Sequence, residues 1–183
     1  MRNATADRAL DVGCGNGRHT ELLADCARLT VGIDLSRGLL DAAVDRAYDR
    51  GFADTAAFIH GDAARLPIAT ASVDLATYVA TLHHLSPRAT RVASLSELAR
   101  VLRPDGAALV SVWSTAHDRF DRETGFDTTV DWTLPGGATV PRYYHIYDPD
   151  EFAADLAASD LVVGDVTVSS GNCYAVVHGR PKE

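Results

Sequence analysis

A glycine-rich turn between the first predicted strand and the first predicted helix constrains this chain most. Residues 10–17 read Leu-Asp-Val-Gly-Cys-Gly-Asn-Gly, and they follow a short strand at residues 8–12. Glycines let the backbone approach a ligand closely, and the N-terminus of the next helix favours an anionic group. A dinucleotide-binding turn needs the spacing G-x-G-x-x-G. Here the third glycine comes one residue early, so the turn predicts a ligand site but disfavours NAD or FAD.

The chain beyond this turn alternates strands with helices. The predicted strands are residues 8–12, 29–33, 56–59, 73–79 and 107–113, and the predicted helices are residues 18–27, 37–50 and 88–102. Ser36 is placed to cap the second helix. This alternation is typical of a parallel, doubly wound α/β sheet, and the length of 183 residues suits a single domain over 1–183.

The alternation breaks at residues 115–147, which show no clear periodicity. We interpret this segment as a long loop or lid over the site; the alternative is a disordered insertion. A last helix at residues 149–159 and a closing antiparallel pair of strands at residues 161–168 and 174–177 follow.

Two carboxylates follow predicted strands. Asp34 comes 21 residues after Gly13 at the end of the second strand, where an acidic side chain can accept both hydroxyls of a ribose. Asp62, next to Ala63, follows the third strand and can accept from an adenine amino group. The alternatives are a helix-entry role for Asp34 and a turn role for Asp62.

Two histidines, His83 and His84, follow the fourth strand, where open α/β sheets bind their ligands at the topological switch point. A single histidine is often structural, but an adjacent pair at a ligand-facing strand end favours a role in the site.

The order of these four segments over residues 8–114 resembles the class I S-adenosylmethionine-dependent methyltransferases. The resemblance implies a sheet of strand order 3-2-1-4-5-7-6 with strand 7 antiparallel, and S-adenosyl-L-methionine as cofactor. It assigns the cofactor contacts to Asp11, Gly13, Cys14, Gly15, Asn16 and Gly17 for the methionine part, Asp34 for the ribose, Leu35, Asp62 and Ala63 for the adenine, and Tyr78 on the fourth strand.

A narrower resemblance comes from the tail. Residues 142–147 read Arg-Tyr-Tyr-His-Ile-Tyr and residues 171–177 read Gly-Asn-Cys-Tyr-Ala-Val-Val. Together with His83-His84 and the turn at residues 102–106, these segments resemble the tRNA wobble-uridine carboxymethyl methyltransferases. The resemblance implies that the methyl acceptor is a carboxylate.

Three residues, His83, Tyr144 and His145, are the predicted catalytic set that orients the acceptor and excludes water. A carboxylate is already ionised at neutral pH and needs no general base. For an amine, amide or carbon acceptor, His83 or His84 is the candidate base. The alternative for residues 142–145 is a packed lid without ligand contact.

The resembling family also acts with a small zinc-binding activator protein. We expect that activator to pair with the edge strand through Ala56, Phe58 and Ile59, giving a heterodimer; the alternative is an edge covered by the chain's own loops.

Family members carry an upstream segment with an Arg and a Trp for tRNA, whereas about seven residues precede the first strand here. The segment at 115–147 is also acidic, so tRNA binding by this chain is expected to need a partner.

Composition adds weaker expectations. The chain has 20 Asp and 5 Glu against 16 Arg and 1 Lys, with a net charge of −8, as in salt-loving archaea or GC-rich genomes. Its three cysteines, Cys14, Cys26 and Cys173, are widely spaced, which predicts free thiols and no metal site. No apolar run of 18 residues and no signal peptide are present, so a cytoplasmic protein is expected.

Two alternatives for the function stay open. They are a small-molecule methyltransferase and a non-catalytic binding subunit of the same fold.

Overall fold

The computed structural model describes residues 5–133 and 137–181. Its strands are β1 (Ala6–Val12), β2 (Ala27–Asp34), β3 (Ala56–His60), β4 (Val73–Val79), β5 (Leu102–Trp113), β6 (Phe126–Thr133), β7 (Thr139–Ile146), β8 (Val162–Ser169) and β9 (Asn172–His178). Its helices are α1 (Arg18–Ala24), α2 (Arg37–Arg50), α3 (Arg88–Val101) and α4 (Pro149–Ala157), with short 3₁₀ turns at Ala53–Thr55 and Leu82–His84.

Seven strands form one sheet in the order β3-β2-β1-β4-β5-β9-β8. Strands β1 to β5 pair in parallel, and β9 runs antiparallel to both β5 and β8. The fold is therefore a Rossmann-like α/β fold with a mostly parallel sheet, as predicted. The order differs in its numbering from the predicted 3-2-1-4-5-7-6, because two further strands, β6 and β7, precede the closing pair and form a sheet of their own.

The segment at residues 115–147 corrects the sequence analysis. It was expected to be a loop or lid, but β6 and β7 within it form an antiparallel hairpin whose register runs from Phe126↔Ile146 to Thr133↔Thr139. Residues 126–131 alternate half-buried and exposed positions, which is the period of two that a strand requires. This period is hard to recognise because threonines occupy positions on both faces of β6.

The turn at residues 104–106 is a second correction. It was expected to separate helix from strand, but β5 already begins at Leu102 and runs through it. The pairing of β5 with β4 shifts register between Val73 and Leu75, so the extra residues form a bulge.

Two helices begin at residues whose side chains cap them. The side chain of Ser36 accepts a hydrogen bond from the backbone N–H of Leu39 at 3.4 Å, and α2 ends at Gly51 with φ of +73°. At α4, Asp148 accepts from the N–H of Glu151 at 2.9 Å and from the N–H of Gly125 at 2.9 Å. Asp148 therefore caps α4 and also ties the start of the hairpin to this helix.

The main core lies between the sheet and helices α3 and α4. Its fully buried side chains come from the central strands and from both helices: Leu10, Val12, Ile33, Tyr78, Leu95, Leu98, Val110, Phe152 and Leu156. Within residues 5–133 and 137–181, every helix is too short or too polar to cross a membrane. Because β1, β2, β4 and β5 pair in parallel, their carboxyl ends lie together at one edge of the sheet, where the site lies.

Candidate functional site

A cleft of about 590 Å³ opens at the carboxyl ends of the parallel strands. It is lined on one side by the ends of β1, β2 and β3, and on the other by the end of β5, the turn Leu82–His84 and the hairpin β6–β7. We call these sides the strand-end half and the hairpin half. A smaller cleft of about 500 Å³ lies at the opposite ends of β1 and β4, remote from the glycine turn.

The glycine turn shapes the strand-end half with its backbone. Gly13 has φ of +70°, and a Cβ there would overlap the side chain of Thr81. Gly15 also has a positive φ, +53°, but no atom lies within 4 Å of where its Cβ would be. Position 13 must therefore be glycine, because a side chain there would collide with that of Thr81. At position 15, the absence of a side chain instead leaves the backbone open to the cleft.

Asp34 is fixed in the cleft by hydrogen bonds to both of its carboxylate oxygens. Oδ2 accepts from the N–H of Gly15 at 2.8 Å, and Oδ1 accepts from the N–H of Ser36 at 2.8 Å. Each oxygen retains further acceptor capacity. A carboxylate held in this way can accept from two adjacent hydroxyls without losing the order of its own side chain.

Beyond Asp34, the strand-end half combines the polar side chains Asn16, Arg18 and His19 with an apolar stretch next to a second carboxylate. Leu35 lines the cleft with 68% of its surface exposed, and Ile33 and Ala63 line it nearby. Asp62 is exposed, and its Oδ1 accepts the N–H of Ala64 at 2.8 Å. This combination can hold the flat face of an aromatic ring and accept from an amino group at its edge.

Most of the predicted cofactor residues line this cleft, namely Gly13, Cys14, Gly15, Asn16, Asp34, Leu35, Asp62 and Ala63. Three do not. Gly17 caps α1 behind the turn, and Asp11 and Tyr78 are buried.

The two buried residues have partners within the fold. Asp11 accepts from the hydroxyls of Thr20 at 2.7 Å and Thr77 at 2.9 Å. Burial raises the pKa of Asp11, and these two hydrogen bonds oppose the shift. The Tyr78 hydroxyl pairs with Ser94 at 2.7 Å in the core. Both side chains therefore support the strands that carry the cleft instead of facing into it.

Cys14 lines the cleft as a neutral thiol. Burial first, and then the nearby charges of Asp11 and Asp34, raise the pKa of the thiol well above its ordinary value. The cysteine therefore contributes a small apolar surface and no nucleophile.

The two histidines in the hairpin half carry their ring protons on different nitrogens. His83 is buried, and its Nδ1 accepts the backbone N–H of Trp113 at 3.2 Å. His84 Nδ1 lies 3.0 Å from the carbonyl of Tyr143, which can only accept, so this nitrogen donates. The neutral rings therefore carry their protons on Nε2 in His83 and on Nδ1 in His84, leaving one donor and one acceptor nitrogen.

Both imidazoles are held neutral. Burial, followed by the charges of His84, Arg142 and His145, keeps the pKa of His83 well below its ordinary value. Burial also lowers the pKa of His84, although the hydrogen bond to the Tyr143 carbonyl opposes this. In this state His83 can donate through Nε2 and is a poor general base.

The hairpin half also has an aromatic wall. Tyr144 is buried, with its ring centroid 4.9 Å from that of His83 and 5.0 Å from that of Trp113. Trp132 lies 44% exposed at the mouth of the cleft, and the guanidinium of Arg142 lies 5.1 Å from its ring centroid. Both Trp132 and Arg142 line the cleft.

Sequence reasoning did not select Trp113, Trp132 or Arg142 as site residues. Arg142 stood within the quoted tail motif, but only the pairing of β6 with β7, where Val130 lies opposite Arg142, brings it beside Trp132. In the part of the chain that the structure describes, Arg142 forms no ion pair with a carboxylate. The hairpin half therefore presents a cation, an N–H donor and aromatic surface.

The third predicted catalytic residue, His145, lies elsewhere. It does not line the cleft, and its two ring nitrogens lie 2.7 Å from Oδ1 of Asp127 and 2.9 Å from Oε2 of Glu151. The predicted set is therefore split, with His83 and Tyr144 in the cleft and His145 behind it.

Comparisons with known proteins agree with this geometry. A family model described as "Methyltransferase domain" matches residues 10–110, which is more than half of the chain. A protein of Encephalitozoon cuniculi that is named as a methyltransferase is 36% identical over 174 residues, covering 92% of this chain and 76% of that protein.

A further relative carries a more specific name. The tRNA (carboxymethyluridine(34)-5-O)-methyltransferase of Saccharomyces cerevisiae is 30% identical over 139 residues, which are 73% of this chain and 46% of that protein. Among solved structures, an S-adenosylmethionine-dependent methyltransferase of Clostridium acetobutylicum has a TM-score of 0.76 at 15% identity, covering 97% of this chain and 86% of that one. At that identity, the structural match shows a shared fold.

Proposed function

The chain belongs to the methyltransferase-domain family and is an S-adenosylmethionine-dependent methyltransferase, and we propose that it methylates the carboxymethyl group of a wobble uridine in tRNA. The single observation that carries this proposal is Arg142, a cation without a carboxylate partner among the described residues that lines the hairpin half of the cleft. An acceptor with a carboxylate next to a planar base complements Arg142 and Trp132. The names of the relatives support the same acceptor.

The strand-end half fits the cofactor. We propose that Asp34 accepts the ribose hydroxyls, that Leu35 packs on the adenine, and that Asp62 accepts from the adenine amino group. The open backbone at Gly15 leaves room for the methionine part. When bound, S-adenosylmethionine supplies an electrophilic methyl group.

The hairpin half then has to position an acceptor that is already ionised. Arg142 attracts the carboxylate, and the Nε2–H of His83 is free to donate to one of its oxygens. Because a carboxylate needs no deprotonation at neutral pH, the neutral state of His83 is compatible with catalysis by positioning. Tyr144 and Trp113 exclude water from this side of the cleft.

Transfer of labelled methyl groups tests this function. The substrates are synthetic anticodon stem-loops that carry 5-carboxymethyluridine, its carboxamide counterpart or plain uridine at the wobble position. We expect methyl transfer only to the carboxymethyl form, with a product that alkali hydrolyses, as an ester requires. Equal transfer to the carboxamide, or transfer only to small molecules of a cell extract, would contradict the proposed acceptor.

We further propose that a zinc-binding activator protein adds a strand to the seven-stranded sheet next to β3. The position of β3 at the edge of this sheet supports the proposal. β3 pairs with β2 on one side only and ends the sheet order. Ala56, Phe58 and Ile59 are half-buried, and Ala57 is exposed. An exposed edge of this kind is a template for strand addition.

Phe58 is a poor position at which to test this edge, because it packs on the buried cluster of Ala24, Ala47 and Phe52. Ala57→Lys places a charge on the edge without entering that cluster. We expect co-expression to yield a heterodimer with the activator for the native chain and to lose it for Ala57→Lys, with the thermal unfolding of the lone chain unchanged. A complex that survives Ala57→Lys, or a native chain that never binds the activator, would contradict strand addition at β3.

A further inference from the structure

His145 occupies the back of the hairpin, away from the cleft. Along β7, successive side chains point to opposite faces. Arg142 and Tyr144 line the cleft, whereas Tyr143 and His145 lie on the other face, where both contact Asp127 of β6. His145 therefore cannot touch an acceptor, although it directly follows a residue that lines the acceptor side.

Two carboxylates from different elements hold the His145 ring. Nδ1 lies 2.7 Å from Oδ1 of Asp127, the residue opposite His145 in the hairpin register, and Nε2 lies 2.9 Å from Oε2 of Glu151 on α4. The side chain is only 7% exposed. The Nδ1 contact is a hydrogen bond, whereas Nε2 lies close to Glu151 but has no hydrogen-bond partner among the described residues.

The second carboxylate belongs to a buried network that reaches α3. The other oxygen of Glu151 lies 3.4 Å from NH2 of Arg91, and the Arg91 guanidinium lies over the ring of Tyr147 at 5.2 Å. Tyr147 in turn packs edge-to-face on His145 at 4.6 Å. A movement of His145 would therefore break contacts between the hairpin and two helices of the body.

We propose that His145 is a positioning residue whose buried ring bridges Asp127 and Glu151 and so fixes the hairpin where Arg142 and Tyr144 meet the acceptor. The link to the acceptor rests on the function proposed above, whereas the bridge between the hairpin and α4 does not. The hydrogen bond from His145 also holds the pKa of Asp127 below its ordinary value, which keeps that carboxylate ionised.

The charged and titratable groups around His145 come from several elements. They are Asp127 and Tyr143 on the hairpin, Glu151 and Asp148 at α4, Arg91 on α3, Tyr147 after β7, and His83 on the turn Leu82–His84. The ring therefore lies where the hairpin, α3 and α4 come together.

Hydrogen exchange tests the bridge without any acceptor. His145→Gln should speed exchange of the amides of β6 and β7 at least tenfold while β1 to β4 remain protected. A hairpin with unchanged protection would overturn the proposal. His178→Gln, on β9 at the far side of the sheet, is the matched control and should change neither strand of the hairpin.

Kinetics with the carboxymethyluridine stem-loop then link the bridge to the site. His145→Gln should raise the acceptor KM about tenfold with a smaller change in kcat and an unchanged affinity for S-adenosylmethionine. If His145→Gln does not fold, Glu151→Gln provides the same test, because it removes the charge next to the His145 ring at nearly constant size. Equal losses in kcat, KM and cofactor affinity would mean a general structural role and would overturn the proposal.

If the stem-loop is not a substrate at all, the exchange results still decide whether the bridge holds the hairpin. A failure of the proposed function is thereby distinguished from a failure of this inference.

Discussion

The two halves of the cleft are built in different ways. The strand-end half consists of short contiguous segments, the turn at Gly13–Gly17 and the residues directly after β2 and β3, and its contacts are largely to the backbone. The hairpin half is assembled from β5, the turn Leu82–His84 and the separate two-stranded sheet, and it is held by ion pairs between distant elements. Local geometry therefore fixes the strand-end half, and long-range packing fixes the hairpin half.

This difference is testable first through stability. Asp155 is fully buried and meets Arg88 at 2.6 Å, Arg91 at 3.5 Å and the Tyr147 hydroxyl at 3.0 Å. Asp155→Ala leaves a buried arginine without this partner, which should lower the free energy of unfolding by about 3–5 kcal/mol. Urea unfolding measures the effect.

The control for this change is Asp160→Ala, whose partner Arg180 is exposed, and which should cost less than about 1 kcal/mol. Equal costs at the two positions would mean that the network does not support the hairpin half as described.

The second test concerns the strand-end half, where a substitution should weaken the binding of the cofactor. Asp34→Ala removes the acceptors proposed for the ribose and also the partner of the Gly15 N–H. We expect S-adenosylmethionine to bind about 1.5–3 kcal/mol more weakly, or roughly 10- to 150-fold. Calorimetry provides the measurement, with Asp45→Ala on the exposed face of α2 as the control. Unchanged affinity would remove Asp34 from the cofactor site.

The same contrast explains what the sequence could predict. The parallel sheet, the cap at Ser36 and the cleft position of Asp34 and Asp62 follow from strand ends and turn chemistry, which a few adjacent residues determine. Arg142 and Trp132 could not be selected, because they come together only through the pairing of β6 with β7. His145 was taken for a cleft residue because the motif places it next to Tyr144, and only strand alternation separates the two faces.

The third test belongs to the hairpin half and should leave cofactor affinity unchanged. Arg142→Ala should raise the KM for the carboxymethyluridine stem-loop about tenfold, or roughly 1.4 kcal/mol, since it removes a charge-assisted contact at a partly exposed position. Arg142→Lys should recover part of the loss. Arg122→Ala, whose guanidinium lies 4.5 Å from the ring centroid of Phe126 outside the cleft, is the matched control. A rise in the cofactor dissociation constant with Arg142→Ala would show that the two halves are not separable.

The smallest expected effect is the pH dependence of stability, and it too separates the halves. The pKa of His83 lies well below its ordinary value in the folded chain, because burial disfavours the charged ring. The unfolded chain therefore takes up a proton at His83 as the pH falls below about 6.5, while the folded chain does not. This contribution to stability is present above that pH and is lost on acidification, so unfolding should become easier by about 1 kcal/mol between pH 7 and 5.5.

Replacing His83 should remove this part of the slope. Urea unfolding of His83→Gln at both pH values should show a change smaller by about 1 kcal/mol than in the native chain. The control is His19→Gln in the strand-end half, which leaves His83 in place. If His83→Gln keeps the full slope, the proton is taken up elsewhere, and the neutral state assigned to His83 would lose its main support. If this part of the slope disappears, burial is what keeps the His83 ring neutral, and the N–H of Trp113 is what leaves its proton on Nε2.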